Sequence, residues 1–208
     1  MTIATRKERQ KEELRSKILE KARELFIEKG YDETSIRNIA ERIEYSPTTI
    51  YLYFKDKDDI FYALHQEGFG VLNQYFSALL NVEDPFERLK AIGRAYVKFA
   101  LENREYYDLM FISEKPMDAI FKEENREWDE GQKSFNGLVH TVQECIDKGY
   151  FAGMEAETLS FTIWAMVHGV ASLEIRGRCA VMTEEKQKGI AQRATKIVME
   201  MLDRMHSK

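Results

Sequence analysis

Apolar residues along this chain recur every three or four positions, and no run alternates long enough to make a strand. Between Thr34 and Lys57, Ile36, Ile39, Ala40 and Ile43 mark one face of a short helix, with Thr34 or Ser35 placed to cap its start. Ser46-Pro47 opens a second helix, because a serine N-cap answers one orphan N–H and proline at the first helical position lacks another. Ile50 and Phe54 then fall one turn apart on the inner side. Thr48, Tyr51 and Tyr53 fall on the outer side, followed by Lys55 and Lys57. Two such short helices cannot hold a core alone. The pattern supplies a third over 14–29, with Ile18, Ala22, Leu25 and Phe26 turned inward and Gly30 ending it. Three helices in this order predict a helix-turn-helix head.

The rest of the chain keeps the same period. Residues 1–13 are polar and basic and are expected to fray without a partner. Asp56, with Asp59 in the capping-box position, starts a helix carrying Ile60, Phe61, Leu64, Leu72, Tyr75, Phe76 and Leu79, long enough at about 24 residues to join two domains. Pro85 opens a helix ending near Asn103, Tyr106 to Ile112 reads as a short one, and Lys115-Pro116 breaks it. A long stretch from Asp118 to Lys148 is weakened at Gly131 and Gly137 and closed by Gly149. After a turn at Gly153-Met154, an apolar helix is predicted from Ala156 to Arg176. A last helix opening at Thr183 carries Ile190, Ala194, Ile197, Val198, Met201 and Met205 in one stripe. The expected fold is all-α with about nine helices, divided into residues 1–57 and 58–208.

Charge sharpens this division. The net charge of −5 argues at first against a nucleic-acid partner, but residues 1–57 carry 13 Lys/Arg against 11 Asp/Glu, and residues 58–208 carry 18 against 25. A positive end on an acidic body suits phosphate contact at one face. Cys145 and Cys179 stand far apart without metal-ligand spacing, which predicts free thiols in a reducing cytoplasm. The longest charge-free run, Thr158 to Leu173, has 16 residues. A membrane span needs about 20, so a buried helix is expected there.

The ordered set Ile18-Leu19, Ala22, Leu25-Phe26, Gly30-Tyr31, Thr34-Ser35-Ile36, Ile39-Ala40 and Thr49-Ile50-Tyr51-Leu52-Tyr53-Phe54-Lys55-Asp56-Lys57 resembles the DNA-binding domain of the TetR family of bacterial transcriptional regulators. The resemblance implies that residues 1–57 bind DNA and that 58–208 bind an effector and dimerise. It implies that Ser46, Pro47, Thr48, Tyr51 and Tyr53 lie at the reading helix, that Thr49, Lys55 and Lys57 meet phosphates, and that Arg37 contacts base or backbone. These side chains suit the roles: a guanidinium forks onto guanine, and threonine or tyrosine touches a thymine methyl or a phosphate. One departure is Glu44, where members often have glycine. A side chain at positive φ is strained, and its carboxylate would lie near phosphates.

Eight of nine methionines and ten of twelve phenylalanines follow residue 57. Core packing is the plain reading of such stripes, but adaptable methionine walls also suit apolar ligands. The resemblance implies an inducer pocket, with Tyr96, Phe99, Tyr107, Met110, Phe111, Phe135, Trp164 and His168 as candidates by amphipathic position. Trp164, His168 and Gly169 resemble the Trp-His-Gly signature of one C-terminal subgroup, although a histidine on so apolar a helix is more often a satisfied core residue. The last two helices are expected to form a homodimer on a palindromic operator. The implied function is a repressor released by a small, largely apolar molecule. The alternatives are a DNA-bound adaptor that recruits a protein, and a helical carrier or enzyme on the same scaffold. No HExxH, GxSxG or Walker loop occurs, so no enzyme, cofactor or metal is expected.

Overall fold

The computed structural model describes residues 3–113 and 129–206. All regular structure among them is helical. Ten α-helices are α1 (Ile3–Lys29), α2 (Ile36–Ile43), α3 (Pro47–Tyr51), α4 (Lys57–Ser77), α5 (Pro85–Glu102), α6 (Arg104–Tyr107), α7 (Asp129–Asp147), α8 (Ala156–Ile175), α9 (Glu184–Gln187) and α10 (Ile190–His206). Short 3-10 turns follow α4 and α8, and a π-turn, Asp108–Ile112, follows α6.

The chain divides into two compact units, Met1–Gly68 with Asp108–Glu127, and Phe69–Tyr107 with Trp128–Lys208. The division falls inside α4, whose first residue is the expected boundary, Lys57. In the first unit, Ile18, Ala22, Leu25, Ile39, Ile43, Ile50, Ile60 and Leu64 close one apolar core with Leu109. Phe26 and Tyr31 stack at 5.6 Å between ring centroids, and Phe61 stands edge-on to both at 5.0 Å. In the second unit, α5 packs on α7, α8 and α10, and α8 packs on α7 and α10.

Several sequence expectations are corrected. Helix α1 begins at Ile3, so the basic N-terminal stretch is helical and not frayed. The Arg9–Glu13 pair, one turn apart at 3.1 Å, is the kind of surface contact that supports such an extension. The last helix opens at Ile190 and not at Thr183, because Gly189 takes a left-handed turn (φ 64°) and separates the one-turn α9 from α10. Helix α8 buries Leu159, Ile163, Val167 and Ala171 on one side but exposes Phe161 and Leu173, so it is not buried all round. It is long and apolar enough by composition to cross a membrane. Helix α7 runs unbroken through Gly131 and Gly137. The break expected at Lys115-Pro116 and the start expected at Asp118 lie outside the described residues.

Candidate nucleic-acid interface and effector domain

Each helix of the reading head is fixed by its own ends. Ser35 caps α2 by accepting from Asn38 N–H, and the Asn38 side chain accepts from Ser35 N–H at 3.0 Å, which satisfies two orphan donors at once. Buried Thr34 donates to Gly30 O at 2.8 Å and tethers the turn below α1. Ser46 caps α3 through Thr49 N–H, and Pro47 occupies its first turn. Asp56 accepts from Asp59 N–H at 2.8 Å while the Asp59 carboxylate accepts from Lys55 N–H at 3.0 Å. Between α2 and α3, Glu44 holds φ 64°, ψ 40°. The turn that glycine would make therefore forms with a side chain present. That conformation costs an L-residue on the order of 1–2 kcal/mol. Tyr45 N–H still reaches Ala40 O at 2.9 Å.

The amphipathic split of α3 is the one its sequence requires. Ile50 and Phe54 are buried, whereas Ser46, Pro47, Thr48 and Tyr51 face out, Tyr51 at 56% exposure. Lys55 and Arg37 are exposed, and Arg37 pairs with Glu41 at 2.9 Å. Thr49 is half-buried, its hydroxyl 3.0 Å from Ser46 Oγ. Tyr53 is half-buried and packs against the core, so it shares in the cover of the head. Lys57 is turned onto its own unit: its ammonium donates to Tyr31 O at 2.7 Å and stands 4.0 Å from the Tyr31 ring centre. Two residues that the sequence reading did not single out, Tyr45 and Lys17, lie beside the start of α3. Tyr45 is exposed just before the α3 cap, and Lys17 sits 5.6 Å from its ring while donating to Ile43 O at 3.2 Å. The signal was available, since Tyr45 precedes the cap and Lys17 lies on the basic side of α1.

Ion pairs brace the head from below. Arg42 bonds Glu28 at 2.8 Å, which holds the Glu28 carboxyl below its ordinary range and raises the Arg42 guanidinium. His65 on α4 is fully buried, and desolvation lowers its pKa to about 4, so the ring is neutral at pH 7.

In the second unit, three of the effector candidates meet around the ring of a fourth, His168. Tyr96 Oη lies 2.9 Å from His168 Nδ1, and Tyr107 Oη lies 3.2 Å from the same nitrogen and 3.3 Å from His168 O. Trp164, an edge-on neighbour of His168 at 6.1 Å, also bonds the Tyr96 hydroxyl. Indole only donates, so the Tyr96 oxygen accepts from Trp164. Burial lowers the His168 pKa and pushes the Tyr96 phenol well above its usual value, so the network is neutral. Phe135 reaches Trp164 at 6.1 Å, whereas buried Phe99 packs on Tyr75 at 5.8 Å. Met110 and Phe111, in the π-turn, belong to the first unit. Among the described residues no three His, Cys, Asp or Glu side chains gather to hold a metal. Cys145 is buried, and desolvation pushes its thiol up to about 12.

A three-helix head with an exposed, capped reading helix, carried on an all-helical body, defines a helix-turn-helix transcriptional regulator. Residues 18–64 match the profile of bacterial regulatory proteins of the tetR family, and residues 89–198 match the tetracyclin repressor-like C-terminal domain. The chain belongs to the TetR family of DNA-binding transcriptional regulators, whose members are not enzymes. It is 27% identical over 165 residues to the HTH-type transcriptional regulator HbdR of Aromatoleum sp. (strain CIB), covering 76% of this chain and 71% of that one. It is 31% identical over 93 residues to the fatty acid metabolism regulator protein of Bacillus subtilis (strain 168), covering 45% and 43%. Its fold resembles that of a protein of unknown function from Rhodococcus sp. RHA1, with TM-score 0.74, 22% identity and coverage of 94% and 96%. It also resembles the fatty acid degradation regulator FadR from Bacillus halodurans, with TM-score 0.70, 19% identity and coverage of 89% and 94%.

Proposed function

We propose that this regulator is a repressor that binds a palindromic operator as a homodimer and leaves it when a small, largely apolar molecule occupies the body. In this reading residues 1–57 bind DNA, 58–208 bind effector and partner, and the protein works in the cytoplasm. The observation that carries it is the outward edge of α3, where Thr48 and Tyr51 stand clear of a core closed beneath them by Ile50 and Phe54. Ser46 and Pro47 complete the edge, half-buried Tyr53 backs it, Arg37 flanks it, and Thr49 and Lys55 supply phosphate contacts, joined by Lys57 if it leaves Tyr31 on binding.

Dimerisation is supported by α10. Ile197, Met201 and Met205 are 54%, 47% and 44% exposed and stand one turn apart in a row, opposite buried Ala191, Thr195 and Leu202. Exposed Phe161 and Leu173 on α8 extend the apolar surface available to a second copy. An apolar effector is supported by the aromatic cluster around His168 and by the relatives whose names refer to fatty acid metabolism. The Trp164-to-Gly169 run is read as the mark of its C-terminal subgroup.

Footprinting on the DNA upstream of its own gene, at fixed salt, tests the reading. A protected palindrome is expected, and Tyr51→Ala should weaken it about tenfold or more while leaving the melting temperature unchanged. Binding no tighter than to random duplex would end the proposal.

A further inference from the structure

A groove of about 450 Å³ runs between α5 and α10, on residues apart from the aromatic cluster. Val97, Leu101 and Met199 give it apolar walls, and the Thr195 hydroxyl beside them is bonded to Ala191 O at 2.7 Å. Gly93 lets Met199 lie against α5, because a Cβ there would stand 2.7 Å from Met199 Cε. Three cations edge the groove: Arg94 and Lys98 from α5, and Lys196 from α10.

Arg94 and Lys98 are one turn apart on the same helix, an arrangement in which like charges repel. Neither makes an ion pair among the described residues, although acidic residues outnumber basic ones, 25 to 18, beyond residue 57. Lys98 has Glu102 one turn further on, yet that carboxylate accepts from the Tyr75 hydroxyl of α4 at 2.7 Å, and Lys98 lies 5.9 Å from the Tyr75 ring. Lys196 has only a long, exposed contact of 3.8 Å with Glu200. Three cations against one lining carboxylate, which is already bonded to Tyr75, beside an apolar trough match an apolar chain with an anionic end.

We propose that this groove binds a single-chain carboxylate amphiphile, with its chain along Val97, Leu101 and Met199 and its head among Arg94, Lys98 and Lys196. The Arg94 fork suits the two oxygens of a carboxylate. A monoanion also sits beside Glu102 with less repulsion than a phosphate dianion. Because Glu102 holds Tyr75, a second negative charge there loosens the grip of α5 on the C-terminal half of α4. That consequence rests on the regulator reading; the binding site does not.

Calorimetry on the full chain with dodecanoate, below its micelle concentration, tests the site. Dodecanoate should bind at least tenfold more tightly than dodecanol, dodecyltrimethylammonium or dodecyl phosphate. The double variant Arg94→Glu/Lys98→Glu should lose at least tenfold in dodecanoate affinity with unchanged melting and unchanged affinity for the footprinted duplex, and Leu101→Trp should block the groove. No binding to the wild type, equal affinity for dodecanol, or an unaffected charge-reversed variant would each overturn the site, and tighter binding of dodecyl phosphate would overturn the carboxylate assignment. Tyr75→Phe should bind dodecanoate as the wild type does but release duplex less. If dodecanoate binds and releases no duplex, the link to α4 fails and the site stands. If no duplex is bound at all, the regulator reading fails, and calorimetry still decides the groove.

Discussion

Side-chain bonds reach over different distances along the chain in the two units. In the head, the decisive bonds are local: Ser35 to Asn38, Ser46 to Thr49 and Asp56 to Asp59, each three residues apart. The body caps its helices just as locally, Asp84 to Glu87 and Glu155 to Thr158, but the side-chain bonds that join its helices are remote: Tyr96 to His168 spans 72 residues, Ser134 to Asn73 spans 61, and Lys90 to Asp203 spans 113. A head assembled from self-terminating helices presents its reading edge by local chemistry. A body assembled by distant side chains has no site until it has folded, and small changes in its packing can alter what it holds.

The sharpest way to break this comparison is to empty the head's core. Ile39 is fully buried, and Ile39→Ala should lower stability by about 3 kcal/mol. Urea unfolding followed by circular dichroism reads it, and a loss under about 1 kcal/mol would mean the caps alone hold the head.

Acid tests the same unit through His65. Its folded pKa of about 4 lies below the ordinary 6.5, so the unfolded chain takes up the proton first as pH falls. Stability from the neutral ring is intact above about pH 6.5 and falls progressively toward pH 4, by up to about 3 kcal/mol. Melting temperatures across that window should show the decline, and His65→Leu should flatten it.

A smaller effect probes the body. Tyr107→Phe removes the hydroxyl near His168 Nδ1 and His168 O and should cost about 1 kcal/mol. An unchanged melting temperature would show that this remote bond adds nothing to the packing of the rings.

The smallest effect returns to the turn between α2 and α3. Glu44→Gly relieves the left-handed side chain but frees the unfolded backbone, leaving a gain of about 0.5 kcal/mol. On the proposed reading, operator affinity should also rise slightly at low salt as a carboxylate leaves a turn next to the DNA, a trend that footprint titrations at two salt concentrations would register.

Legibility followed the same divide. The cap residues and the inward set Ile36, Ile39, Ala40, Ile43, Ile50 and Phe54 were readable from residue type and spacing, whereas the left-handed turn at Glu44 was suggested only by the glycine the family often has there. Lys57 and Tyr53 were only half readable, because their partners, Tyr31 and the closed core, come from elsewhere in the unit. The start of α10 was misplaced because a glycine's choice of a left-handed turn at 189 is a permission that sequence grants and packing takes up. In the body, amphipathic position picked out Tyr96, Tyr107, Trp164 and His168, but nothing in their spacing showed that three hydrogen-bonding groups would close around the histidine.

The sequence by itself therefore determined the helical class, the head with its outward Thr48 and Tyr51, and the kinship those residues declare, because capping and periodicity act within one or two turns. Only the tertiary structure decided that His168 sits in a neutral ring of partners, that Lys57 braces Tyr31, and that Arg94, Lys98 and Lys196 meet at one groove. Those outcomes depend on which distant surfaces are pressed together, and burial and charge take their energetic meaning only from that packing.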